Sequence, residues 1–188
     1  MAVIGVMACG SRTPPSALTN TAEPRSGCAD TLALDVEIHA MPRGGYTRFT
    51  VDERGHASQL APGALQAIAV GAPEPPPPEP VRWTIPADAY ARLRRELAAI
   101  PLDALPESQR AEVRDGLAIV VTWTCGDARS TATASNAFPI ELGAVMTALH
   151  RHAYPDGAPA PALPTGDDLA AITKSFAGVP VHRKDRAR

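Results

Sequence analysis

Leu117-Ala118-Ile119-Val120-Val121-Thr122-Trp123-Thr124-Cys125-Gly126-Asp127-Ala128-Arg129-Ser130-Thr131-Ala132-Thr133-Ala134-Ser135 is the stretch that decides how this chain folds. Leu117, Ile119, Val121, Trp123 and Cys125 recur at every second position, the period of a strand with one buried face. Gly126-Asp127 reads as a two-residue turn of the Gly-X kind. A turn of that length fixes the register of the return strand. Ala128, Ser130, Ala132 and Ala134 then stand opposite Cys125, Trp123, Val121 and Ile119. Large side chains meet small ones across the pair, which leaves room for a helix over that face.

Helices are expected on either side of this hairpin. Pro86 opens the first, with Asp88 in the first turn, where the helix dipole favours negative charge. Tyr90, Leu93, Leu97 and Ile100 share one face, and Pro101 ends it. Pro139 opens the second, whose apolar stripe is Leu142, Val145, Met146, Leu149 and Ala153. His150, Arg151 and His152 occupy its last turn, and Pro155 stops it. Upstream, Leu32, Leu34, Val36, Ile38 and Ala40 alternate with Ala33, Asp35, Glu37 and His39. Pro42 to Gly45 makes a turn. Thr47, Phe49 and Val51 alternate in a second strand, and Asp52-Glu53-Arg54-Gly55 reads as a hairpin turn. Short strands follow at His56 to Leu60 and Val81 to Ile85, while Leu65 to Val70 is an apolar run of undecided type. The expected fold class is α+β: a two-layer sandwich, a mainly antiparallel sheet with two helices packed on one face.

The chain has 188 residues and 20 prolines. The prolines cluster outside the periodic segments and draw the boundaries. Residues 1–9 read as a truncated lipoprotein signal segment and 10–30 as a flexible tether. Residues 31–154 form a single α+β domain interrupted by a polyproline loop, 71–80. That loop reads as a stiff surface segment or as a Pro-rich ligand for a partner domain. Residues 155–188 are a Pro/Ala-rich linker with a short helix and a basic tail. Leu169, Ile172, Phe176 and Val179 fall at helical spacing, on a helix that docks either on the domain or on a partner. The tail from His182 to Arg188 reads as a solvated end, or as a contact for phospholipid head groups or nucleic acid.

The address rests on Val6-Met7-Ala8-Cys9-Gly10. A branched residue, a small residue and then Cys resemble the end of a bacterial lipoprotein signal, whose Cys is acylated. Only eight residues precede Cys9, none of them basic, so the translated start is expected upstream. The competing reading is a cytosolic protein with an apolar N-terminus. An acylated Cys9 would make the lipid bilayer a partner and place the protein in the bacterial cell envelope, periplasmic or outer-membrane facing. Cys28 and Cys125 would then remain as an even pair in an oxidising compartment, either bridged or buried as reduced thiols.

The segments Leu34–Ala40 with Tyr46–Gly55, Ile85–Leu102, Arg114–Ala134 and Pro139–Ala153 together resemble a family of uncharacterised bacterial lipoprotein domains. The resemblance covers most of 31 to 154. It implies a strand-strand-helix-strand-strand-helix fold and an envelope location, and it carries no chemistry.

Formal charge is −2, so bulk electrostatics point to no nucleic-acid partner. His150 and His152 are two apart on a helix and cannot chelate together as an i, i+4 pair would. His39, His56 and His182 read as isolated surface histidines. Ser130, Thr133 and Ser135 have no nucleophile elbow around them. Asp115 and Asp127 read as turn residues. Thr165-Gly166-Asp167-Asp168 reads as a helix N-cap. No catalytic, metal or cofactor site is expected, nor a small-molecule ligand. The expected function is a non-catalytic, membrane-anchored binding or structural lipoprotein. The alternatives are a periplasmic or secreted inhibitor that inserts the 71–80 loop, and a hydrolase whose paired carboxylates the sequence does not display.

Overall fold

The structure, a computed structural model, describes residues 32–41, 45–60 and 79–186. Cys9, Cys28, the signal segment, the tether, the run 65–70 and all of the polyproline loop except 79–80 lie outside the described residues. The elements in chain order are β1 (Leu32–Met41), β2 (Gly45–Val51), β3 (His56–Leu60), β4 (Val81–Thr84), α1 (Ala87–Ala99), β5 (Ser108–Ala111), β6 (Gly116–Cys125), β7 (Ala128–Ser135), α2 (Ile140–His152), α3 (Gly166–Ser175) and β8 (Val181–Lys184). They build an α+β fold with three helices and one eight-stranded mixed sheet in the order β4-β3-β2-β1-β6-β7-β5-β8.

The β6–β7 hairpin adopts the expected register. Cys125 faces Ala128, Trp123 faces Ser130, Val121 faces Ala132 and Ile119 faces Ala134. Gly126 takes φ +58°, which supplies the turn. β1 is the central strand, paired on one side with β6 and on the other with β2. Alternate residues of these strands are buried: Leu34, Val36 and Ile38 in β1, Phe49 and Val51 in β2, Ile119, Val121 and Trp123 in β6. They join Leu93 and Leu97 of α1, Val145, Met146 and Leu149 of α2, and Leu169 of α3 in one cluster. Apolar burial of this kind contributes about 25 cal/mol per Å².

α1 is fastened to the β2–β3 turn. The Tyr90 hydroxyl donates to the Asp52 carbonyl at 2.8 Å and approaches the Leu32 carbonyl at 3.2 Å. Gly55 turns at φ +82° beneath the Tyr90 ring, and a Cβ there would come within 3.1 Å of the ring. At the start of β6, Gly116 takes φ +133° against Asn136. The Asn136 side chain accepts from the Leu117 N–H at 2.8 Å and donates to the Asp115 carbonyl at 3.0 Å. Asn136 itself sits at φ +58°, a conformation Asn tolerates better than most residues.

The third helix, α3, lies where the sequence reading expected a short helix, and it docks on the domain. Two findings depart from that reading. Two further strands, β5 and β8, join the sheet, and β5 pairs in parallel with β7. The region 155–188 belongs to the folded body instead of linking away from it. Leu163 and Leu169 enter the core, and β8 pairs with β5 at the sheet edge. The physical reason lies in one buried amide. The Gln59 side chain donates to the Ala160 carbonyl at 3.0 Å and accepts from Ala162 N–H at 3.0 Å and the Tyr154 hydroxyl at 2.7 Å. That holds a proline-rich backbone with no pattern of its own. The described basic residues of the tail are likewise engaged: Lys184 pairs with Glu107, His182 with Glu112 and Arg183 with Asp185, and the Arg186 guanidinium lies 4.5 Å from the Trp123 ring centre.

Candidate functional site

Because side chains alternate across a strand, the residues between the buried ones share the opposite face. The registers of β4-β3-β2-β1-β6-β7 line them up in two rows. The first runs Arg82, Ser58, Thr50, Asp35, Thr122, Thr131. The second, one pleat further along, pairs Thr84 with His56 on one side and Ala33, Thr124 and Arg129 on the other, with Asp52 of the β2–β3 turn between them, its N–H bonded to the His56 carbonyl. Thr50 meets Ser58 at 2.8 Å, hydroxyl to hydroxyl, and Thr122 meets Thr131 at 3.0 Å. The floor is made of short side chains, with Arg82 and Arg129 at its two ends. The result is an open trough of ≈ 660 Å³. Trp83 contributes backbone only, since its indole turns to the other face and donates to the Ala153 carbonyl at 2.8 Å.

The carboxylates of the trough are already engaged. Arg48 grips Asp35 with two hydrogen bonds, at 3.0 Å and 2.6 Å. That bond, ahead of the neighbouring charges, raises the affinity of Arg48 for its proton. Asp52 caps the β2–β3 turn. One carboxylate oxygen accepts from Arg54 N–H at 2.9 Å and His56 N–H at 2.8 Å, and the other meets the His56 ring at 2.8 Å. Partial burial pushes the Asp52 carboxyl up, but the hydrogen bonds from His56 and Arg54 outweigh it and hold it below its ordinary range. The Asp52–His56 pair is a turn clamp that happens to border the trough.

The remaining residues singled out from sequence are scattered. Cys125 ends β6, opposite Leu32 and Ala128. His150 meets the Leu163 carbonyl at 2.9 Å, and His152 meets Glu96 at 2.8 Å, beside Arg151. His39 stacks near Tyr46, ring centres 5.2 Å apart. Ser130 lies on the side of the buried residues, Thr133 and Ser135 on the other, so the hairpin does not gather them. Asp127 lies in the β6–β7 turn, and Asp115 precedes β6, its carbonyl accepting from the Asn136 amide. Thr165 and Asp168 form a reciprocal capping box on α3, and the bonds from Thr165, backbone first, hold the Asp168 carboxyl low. Among the described residues no group of three or more His, Cys, Asp or Glu converges on a metal position. Among the same residues no helix is long and apolar enough to cross a membrane.

Sequence reasoning did not single out Arg82, Thr50, Ser58, Thr122, Thr124 or Arg129 as a group. Each is visible as the wet position of its own strand. Their assembly depends on the strand order, which places β6 beside β1 across a long connection. No protein-family model matches this chain, and no curated protein matches it.

Proposed function

We propose that this chain is a non-catalytic binding module of the bacterial cell envelope, leashed to the bilayer through acylated Cys9. The observation that carries the binding reading is an open trough bearing hydroxyl and charged side chains, on a sheet whose other face is consumed by the core. The address is supported by Val6-Met7-Ala8-Cys9 and the Ser/Thr/Pro tract after it. In the full architecture the three helices lie together over the buried face as a second layer. The inhibitor alternative relies on the 71–80 segment and gains nothing from the described residues.

The same address favours a Cys28–Cys125 bridge. Cys125 faces Leu32 across the β1–β6 pair, and Cys28 is four residues upstream, within about 13 Å of extended chain. A bridge from Cys28 to Cys125 closes a loop of roughly a hundred residues, worth about 4–5 kcal/mol in the chain-entropy model. Thiol counting on unacylated, denatured protein tests it: one reactive thiol is expected, and three would refute it.

The anchor is tested by metabolic labelling with a palmitate analogue in a bacterial host that expresses the gene from its native locus. Wild type is expected to carry label and sediment with membranes, and Cys9→Ala to lose both. Label that survives Cys9→Ala overturns the anchor.

A further inference from the structure

Two cationic side chains line the trough with no counter-ion among the described residues. Asp35 is neutralised by Arg48, and Asp52 by its turn bonds and His56. Among the described residues, neither Arg82 nor Arg129 has a carboxylate within ion-pairing distance, and both line the trough from opposite ends. Five strand spacings separate β4 from β7, about 24 Å at ~4.8 Å each. One small anion cannot serve both, so the fitting ligand is extended and carries separated acidic groups.

The floor between the arginines narrows the chemistry. Backbone N–H and C=O groups of β3, β2, β1 and β6 are spent in ladders on both sides, so the floor of the trough offers a peptide no edge to pair with, and the outer edge of β4 lies at its rim. The one ring the described residues bring to the trough is the His56 imidazole, held by Asp52, so there is no series of rings on which successive bases could stack. What the floor does offer is hydroxyls. Each hydroxyl pair, Thr50–Ser58 and Thr122–Thr131, keeps a donor hydrogen and lone pairs after bonding internally. Such a floor matches a ligand that is itself polyhydroxylated. The chain's net charge of −2 gives no bulk attraction, so the arginines must supply it.

We propose that the trough binds an acidic polysaccharide, a uronate-bearing glycan laid across the strands, its carboxylates on Arg82 and Arg129 and its hydroxyls on the Thr/Ser floor. The inference rests on the binding-module reading and names its ligand class. It does not depend on the anchor, because the test uses purified chain in solution.

The test is fluorescence anisotropy with a labelled oligogalacturonate against the full chain at low salt. Saturable binding is expected. Arg82→Ala/Arg129→Ala should weaken it at least tenfold, and Thr122→Val/Thr124→Val at least threefold. Arg92→Ala, which removes a charge from the exposed side of α1, should leave it unchanged. Unlabelled poly-L-glutamate and neutral dextran should compete at least tenfold less well than unlabelled oligogalacturonate. Arg82 and Arg129 are both exposed, so their variants should melt like wild type. The proposal is overturned by absence of binding, by a double arginine variant that binds like wild type, by an equal loss in Arg92→Ala, or by poly-L-glutamate competing equally.

Discussion

The two faces of this sheet are made by the same strands and differ by a phase of one residue. Val36, Phe49 and Val121 point one way and are closed off by the core. Asp35, Thr50 and Thr122, their immediate neighbours, point the other way and end in hydroxyls, carboxylates and water. A one-residue slip would exchange the two sets. The difference teaches where each part of the molecule's information lies: stability on one face, and on the other the groups to which we assign recognition.

The largest expected effect tests the buried face. Phe49 is 0% exposed and lies 6.0 Å, ring to ring, from Trp83 and 5.7 Å from Tyr154. Phe49→Ala should lower unfolding free energy by about 3–5 kcal/mol in urea titration. Gly116→Ala comes next. A Cβ there would lie 2.0 Å from Asn136 Oδ1 at φ +133°, and the expected cost is about 2–4 kcal/mol. A neutral Gly116→Ala would mean the Asn136 lock is dispensable. Thr165→Ala removes the α3 cap and should cost about 1 kcal/mol. A cost near zero would return α3 to the status of an appendage.

The open face should behave oppositely. Thr122→Val breaks an exposed hydroxyl–hydroxyl bond to Thr131 and should shift stability by less than about 0.5 kcal/mol. A loss of several times that would mean that this face also holds the fold. The smallest effect is a pH dependence. The folded-state Asp52 carboxyl lies below its ordinary value of 3.8, so its contribution is present above that value and fades as pH falls through the lower, folded one. Asp52→Asn should therefore flatten the acid limb of a stability profile measured below about pH 4 and change little at neutral pH.

How much could be read in advance follows the same division. Strands with strict alternation, β1, β2 and β6, and helices bracketed by proline were legible because their burial imposes a period. The β6–β7 register was legible because a two-residue turn leaves no freedom. β5 and β8 were not, since Ser108-Gln109-Arg110-Ala111 and Val181-His182-Arg183-Lys184 carry no apolar alternation and pair only because β7 and Glu107, Glu112 await them. The trough was hidden for a different reason. Wet positions are legible one strand at a time, but their side-by-side order is a property of the sheet. Gln59 shows the same limit: its three partners lie about a hundred residues away in sequence.

The division of labour between the faces is tested most directly by amide chemical-shift mapping of the full chain during titration with oligogalacturonate. The account predicts that the largest shifts fall on Arg82, Ser58, Thr50, Asp35, Thr122, Thr124 and Arg129, with the interior of α2 unmoved. Shifts centred on the helices, or none at saturating glycan, would contradict it.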